Sequence, residues 1–115
     1  MKINKNHSVV NELDDAALVA ASIGGDRRAF GEIVVRYQRL LCSLAYASLG
    51  NLGESEDVAQ EAFIEAWNKL GNLREPAKLK SWLCGILRFK ISHHHRGEAR
   101  QPIRHASELN EAGAL

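Results

Sequence analysis

Three consecutive histidines, His93, His94 and His95, are the residues that first invite a metal. On a helix, neighbouring side chains point about 100° apart, so the three cannot converge on one ion. The i+4 partner of His93 is Gly97, which has no side chain to offer. Gly24-Gly25 lacks the following Lys-Ser or Lys-Thr of a phosphate-binding loop. Cys42 and Cys84 each sit within an apolar helical pattern, do not form a CxxC pair, and read as buried free thiols. Paired carboxylates occur only on one polar helical face, with no sign of a pocket beside them. No catalytic residue, metal site or cofactor is expected. The chemistry on offer is binding.

That chemistry is concentrated in Glu54-Ser-Glu-Asp-Val-Ala-Gln-Glu-Ala-Phe-Ile-Glu-Ala-Trp67. Val58, Ala59, Ala62, Phe63, Ala66, Trp67 and Leu70 recur at i, i+3, i+4 spacing and form a core stripe. Asp57, Gln60, Glu61 and Ile64 follow the same spacing on a second face. A face that is merely solvated usually mixes charges of both signs. Residues 40–68 instead hold five carboxylates and neither Lys nor Arg. The second face is suited to a cationic partner.

The opposite bias follows at once. Residues 69–104 carry nine Lys and Arg against two Glu, a contrast that the formal net charge of +1 conceals. Lys78, Lys80, Arg88, Lys90, Arg96 and Arg100, with the histidines, supply donors for phosphates along one element. Trp82 and Phe89 lie among them, and aromatic rings there can stack on unpaired bases. By charge alone this helix reads equally as a nucleic-acid face or as a solvated one with Trp82 in the core.

Four helical segments must position these faces. The first runs from a cap at Asp14 or Asp15 through Leu18, Val19 and Ile23 to Gly24-Gly25. The second, capped by Asp26, presents Phe30, Ile33, Val34, Tyr37, Leu41 and Leu44 on one stripe and ends near Gly50. The third is expected to start after Gly53 with Ser55 as its cap and to end at Gly71. Pro76 prevents it from continuing through the loop Asn72-Leu-Arg-Glu-Pro76. The fourth is expected from about Ala77 to Arg96, with Leu79, Trp82, Leu83, Ile86, Leu87 and Ile91 as core and Gly97 as a stop.

At 115 residues there is room for one domain. No strand pattern competes, and short breaks favour antiparallel neighbours, so the expected fold is an all-α, compact bundle of about four helices. Residues 13–100 would form it, with flexible segments at 1–12 and 101–115. No apolar run is long enough to span a bilayer and the first residues lack a signal-peptide core, so the expectation is a cytoplasmic protein with no membrane contact.

Asp57-Val-Ala-Gln-Glu-Ala-Phe-Ile-Glu-Ala-Trp67, a short loop, then Lys80-Ser-Trp-Leu-Cys-Gly-Ile-Leu-Arg88 resemble region 2 of the extracytoplasmic-function sigma factors of the sigma-70 superfamily. Gly25-Asp-Arg-Arg-Ala-Phe30 and Tyr37 resemble the start of that domain, and the likeness spans roughly residues 13–100. It implies that Asp57, Gln60, Glu61 and Ile64 dock on the Arg-rich coiled-coil clamp of the largest subunit of core RNA polymerase. It implies a DNA-binding set of Leu73, Arg74, Lys78, Lys80, Arg88, Phe89, His93, Arg96 and Arg100 that recognises and melts the minus-ten promoter element. In that reading the loop from Asn72 to Lys78 captures a base of the non-template strand, and an anti-sigma protein is a further partner. No bond is made or broken, so no enzyme is implied. The chain departs from the family at Leu73, Gly85 and Phe89, where an aromatic, an Arg and an Asn are common. The last two favour the alternative of a sigma mimic, or a helical adaptor, that binds an anti-sigma protein without DNA. The second, helix-turn-helix domain of such factors is not in the sequence.

Overall fold

The computed structural model describes residues 14–99, with side chains described as far as residue 95. The expectations for residues 1–12 and 101–115, and for Arg100, fall outside that range, as does the side chain of Arg96. Among the described residues there are four α-helices and no strand: α1 (Asp15–Ile23), α2 (Arg27–Leu49), α3 (Leu52–Lys69) and α4 (Leu79–Ala99). Two 3-10 turns, Leu70–Asn72 and Pro76–Lys78, join α3 to α4. The all-α bundle is therefore observed.

The first three helices begin where a side chain can take up their unpaired amides. The Asp14 carboxylate accepts from the Ala17 amide at 2.9 Å, and Asp26 accepts from Arg28 and Ala29 at 3.0 and 3.2 Å. Gly25 and Gly50 lie at φ 103° and 70°, conformations that strain any residue with a Cβ, and so they end α1 and α2. The third helix departs from expectation. Its cap is Asn51, whose side chain accepts from the Glu54 amide at 2.8 Å. Asn caps a helix as well as Ser does, and starting here adds a turn of backbone hydrogen bonds directly after Gly50. Ser55 is instead fully buried, its hydroxyl donating to the Asn51 carbonyl at 2.6 Å.

At its other end α3 stops at Lys69, and Gly71 falls inside the first 3-10 turn. Pro76 opens the second turn, so α4 proper begins at Leu79, and it runs past Gly97 to Ala99. One core joins all four helices. Leu18 and Val19 from α1, Ile33, Leu41 and Ala45 from α2, Val58, Ala62 and Ala66 from α3, and Leu79, Leu83 and Leu87 from α4 are all buried in it. Each large aliphatic side chain so removed from water stabilises the fold by about 1.5–3 kcal/mol. The small Ala62 and Ala66 are where α3 is thinnest, and α3 packs between α2 and α4. Two residues read on core-facing stripes lie at its edge: Leu44 is exposed, and Trp67 is 37% exposed. Each sits where its helix face turns from the bundle towards solvent.

Candidate functional site

Burying Val58, Ala62 and Ala66 fixes the rotation of α3 and turns its acidic side outwards. Asp57, Gln60, Glu61 and Ile64 are all exposed, Ile64 at 57%. Among the described residues, none of Glu56, Asp57 and Glu61 enters an ion pair. The other carboxylates of α3 have neighbours of their own: Glu65 pairs with Lys90 of α4 and with Lys69 of its own helix, and Glu54 lies 3.5 Å from the His94 imidazole. Three negative charges are thus left without a cation on a face that already carries an exposed Ile.

The structure adds a second wall that periodicity within α3 did not indicate. Phe30, Val34, Gln38 and Cys42 of α2 stand opposite Ala59, Gln60, Phe63, Ile64 and Trp67 of α3, and together they line a groove of about 690 Å³. The rings of Phe30 and Trp67 meet edge to face with centroids 5.0 Å apart. Trp67 is therefore the half-exposed floor of a groove and not a core residue. Cys42 sits in the same wall, and burial, assisted by the Glu56 charge, raises its thiol above the ordinary value. The acidic row is one rim of an apolar trough. A cationic helix bearing a few apolar side chains has the matching surface.

On α4 the core residues Leu79, Leu83, Leu87 and Ile91 turn the other face to solvent. Lys80, Arg88, Phe89 and His93 are exposed there, Phe89 at 57%. Ala77, Lys78, Lys80, Ser81, Cys84 and Arg88 line a shallow basic depression at the N-terminal end of the helix. Arg74 is exposed on the segment between the two 3-10 turns, and Lys78 is held loosely by Glu75 at 3.8 Å.

Two expectations for this face are corrected. Leu73, placed in the DNA-binding set, is only 8% exposed and belongs to the core. Its amide donates to the Leu70 carbonyl at 3.1 Å, closing the first 3-10 turn so that the apolar side chain tucks inward beneath the loop. Lys90, counted among the phosphate donors, is turned towards α3, where its ammonium meets Glu65 at 2.8 Å. The helical period alone could not separate Lys90 from Arg88, because both lie beside the core stripe. Trp82 is half-buried against the core, which leaves Phe89 as the exposed aromatic of the described part of α4.

Residues 33–101 match the family model described as Sigma-70 region 2. The chain belongs to that family. The match takes in most of α2, all of α3 and α4, and hence both faces of this region 2 domain. Its relatives include the RNA polymerase sigma-H factor of Pseudomonas aeruginosa, 34% identical over 94 residues, 82% of this chain and 49% of the relative. The ECF RNA polymerase sigma-E factor of Escherichia coli K12 is 34% identical over 91 residues, 79% of this chain and 47% of the relative. The ECF RNA polymerase sigma factor SigW of Bacillus subtilis is 42% identical over 62 residues, covering 54% and 33%. The domain spans about half the length of the first two.

Proposed function

We propose that this domain is the part of an extracytoplasmic-function sigma factor that docks on core RNA polymerase and opens the promoter at the minus-ten element. Asp57, Gln60, Glu61 and Ile64, with the groove floored by Trp67, take the Arg-rich clamp helices of the largest subunit. Arg74, Lys78, Lys80 and Arg88 follow the non-template strand, with Phe89 and His93 among them. Unpaired bases held in this way offset a strand-opening cost of about a few kcal/mol per step. An anti-sigma protein would regulate the domain by covering one of these faces.

The observation that carries the reading is the exposed row of Asp57, Gln60, Glu61 and Ile64, without an ion pair among the described residues, beside an apolar groove. Asp57→Arg and Glu61→Arg are expected to abolish capture by an isolated clamp coiled coil while helical content and Tm stay nearly unchanged. Retained capture by both variants would overturn the docking assignment. Phe89 and Gly85 support a second reading, the sigma mimic that binds an anti-sigma protein and leaves DNA alone. Binding to single-stranded minus-ten oligonucleotides over a salt series separates the two, because phosphate contacts weaken steeply as salt rises.

A further inference from the structure

Arg88 and Phe89 flank a low ridge on the outward face of α4. Gly85 and Ser92, both exposed, are the i−3 and i+4 neighbours of Arg88 and the i−4 and i+3 neighbours of Phe89. A Cβ added at Gly85 would meet nothing within 4 Å. The Phe89 ring is exposed, and the His93 imidazole lies against it with centroids 6.1 Å apart. Arg88 is exposed as well and enters no ion pair among the described residues. This face is cationic, carries one large apolar side chain, and allows the close approach of another backbone.

The groove between α2 and α3 has the complementary chemistry. Its wall of Phe30, Val34, Gln38 and Cys42 advances one turn at a time over about 18 Å, the same length as the run from Ser81 to His93 on α4. Ile64 and Trp67 supply apolar contact, and Asp57 and Glu61 supply negative charge without a cation among the described residues. Within one copy the two surfaces are kept apart. α4 lies against the flank of α3 that carries Glu65, whereas the groove opens on the flank that carries Phe63 and Trp67. Only another molecule can bring an α4 face to the groove.

We propose that the groove takes the outward face of α4 from a second copy of this chain, with Phe89 seated over Ile64 and Trp67 and Arg88 against Asp57 and Glu61. The contact joins two different surfaces, and each copy brings both of them. Apolar burial at the centre with opposite charges at the rim is the ordinary anatomy of such an interface. Self-association covers the acidic row and the exposed part of α4 together, so the domain masks both of its faces when concentrated. The consequence for transcription rests on the docking reading, in which the clamp competes for the same groove.

The test is sedimentation velocity of the intact chain at concentrations up to about 1 mM, repeated over a salt series. The mean mass should rise above the monomer with concentration and fall back as salt screens the rim charges. Asp57→Arg spoils the groove and Arg88→Glu spoils the α4 face, so each variant should stay monomeric with Tm nearly unchanged. Mixed together they should associate again, because each brings the face that the other has lost. Phe89→Ala should weaken association on the order of tenfold. A chain that is monomeric throughout, a mixture that stays monomeric, or an Arg88→Glu variant that associates like the unaltered chain overturns the proposal. Isolated clamp coiled coil should dissolve the assemblies. If it leaves them intact and does not bind, the docking reading falls and the second-copy contact stands; if it binds without dissolving them, the second-copy contact falls.

Discussion

Lys90 reaches from α4 to within 2.8 Å of Glu65 on α3, and the same carboxylate holds Lys69 at 3.1 Å. This ties the basic helix to the acidic one at the seam where Glu61 and Ile64 border Lys90. The hydrogen bond from Lys90, then that from Lys69, lowers the Glu65 pKa below the ordinary carboxylate value. A group whose folded pKa is depressed contributes stability that is present above its unfolded pKa and is lost as pH falls through the folded one. Tm is expected to fall as pH drops from about 5 towards about 3, and Glu65→Gln should make that acid limb shallower. An identical limb in the variant would remove Glu65 from the account.

The alkaline side has a different owner. Tyr37 donates its hydroxyl hydrogen bond to Asp15, joining α2 to α1. Burial first, then that bond and the Asp15 charge, push its pKa up to about 12. Here the folded pKa is raised, so the contribution is complete below the unfolded value of about 10 and disappears as pH rises through the folded one. Tm should hold up to about pH 10 and fall above it, with tyrosinate absorbance appearing late for one of the two tyrosines. Tyr37→Phe should flatten the decline.

Asp26 accepts two amides at the start of α2, the longest helix. Asp26→Ala is expected to cost about 1 kcal/mol in urea denaturation with the m-value unchanged. A change within error would mean that water serves those amides equally well.

Cys42 offers a footprint for the groove, because it lines the wall facing Trp67 and its thiol is raised by burial. Alkylation of the free domain should be slow at neutral pH. Bound clamp coiled coil should slow it further, and Ile64→Arg should remove the protection. Cys84, only 7% exposed in the core, serves as the unreactive reference. Equal Cys42 rates with and without the clamp would exclude the groove from the interface.

Strong local signals determined most of the architecture. Gly25 and Gly50 stop helices because their backbones lie at positive φ, and Asp14 and Asp26 cap them with short polar side chains. The stripes through Val58, Ala62 and Ala66, and through Leu79, Leu83 and Leu87, turn the correct faces inward because helical period couples position to direction. The row Asp57, Gln60, Glu61 and Ile64 was legible for the same reason, as the complement of a core stripe on one helix.

Relations between helices were not legible in that way. Period places a residue around its own axis but says nothing of what the next axis brings to it. So the sequence by itself determined the all-α class, the helix stops at Gly25 and Gly50, and one acidic and one basic face. Only the packing of α2 against α3 decided that Trp67 floors a groove, and only that of α3 against α4 decided that Lys90 answers Glu65 while Arg88 stays exposed. Burial of Leu73 was decided likewise, by a 3-10 turn folding an apolar side chain under the loop. The groove and the Lys90–Glu65 pair depend on contacts between residues distant in the chain, which no local spacing encodes.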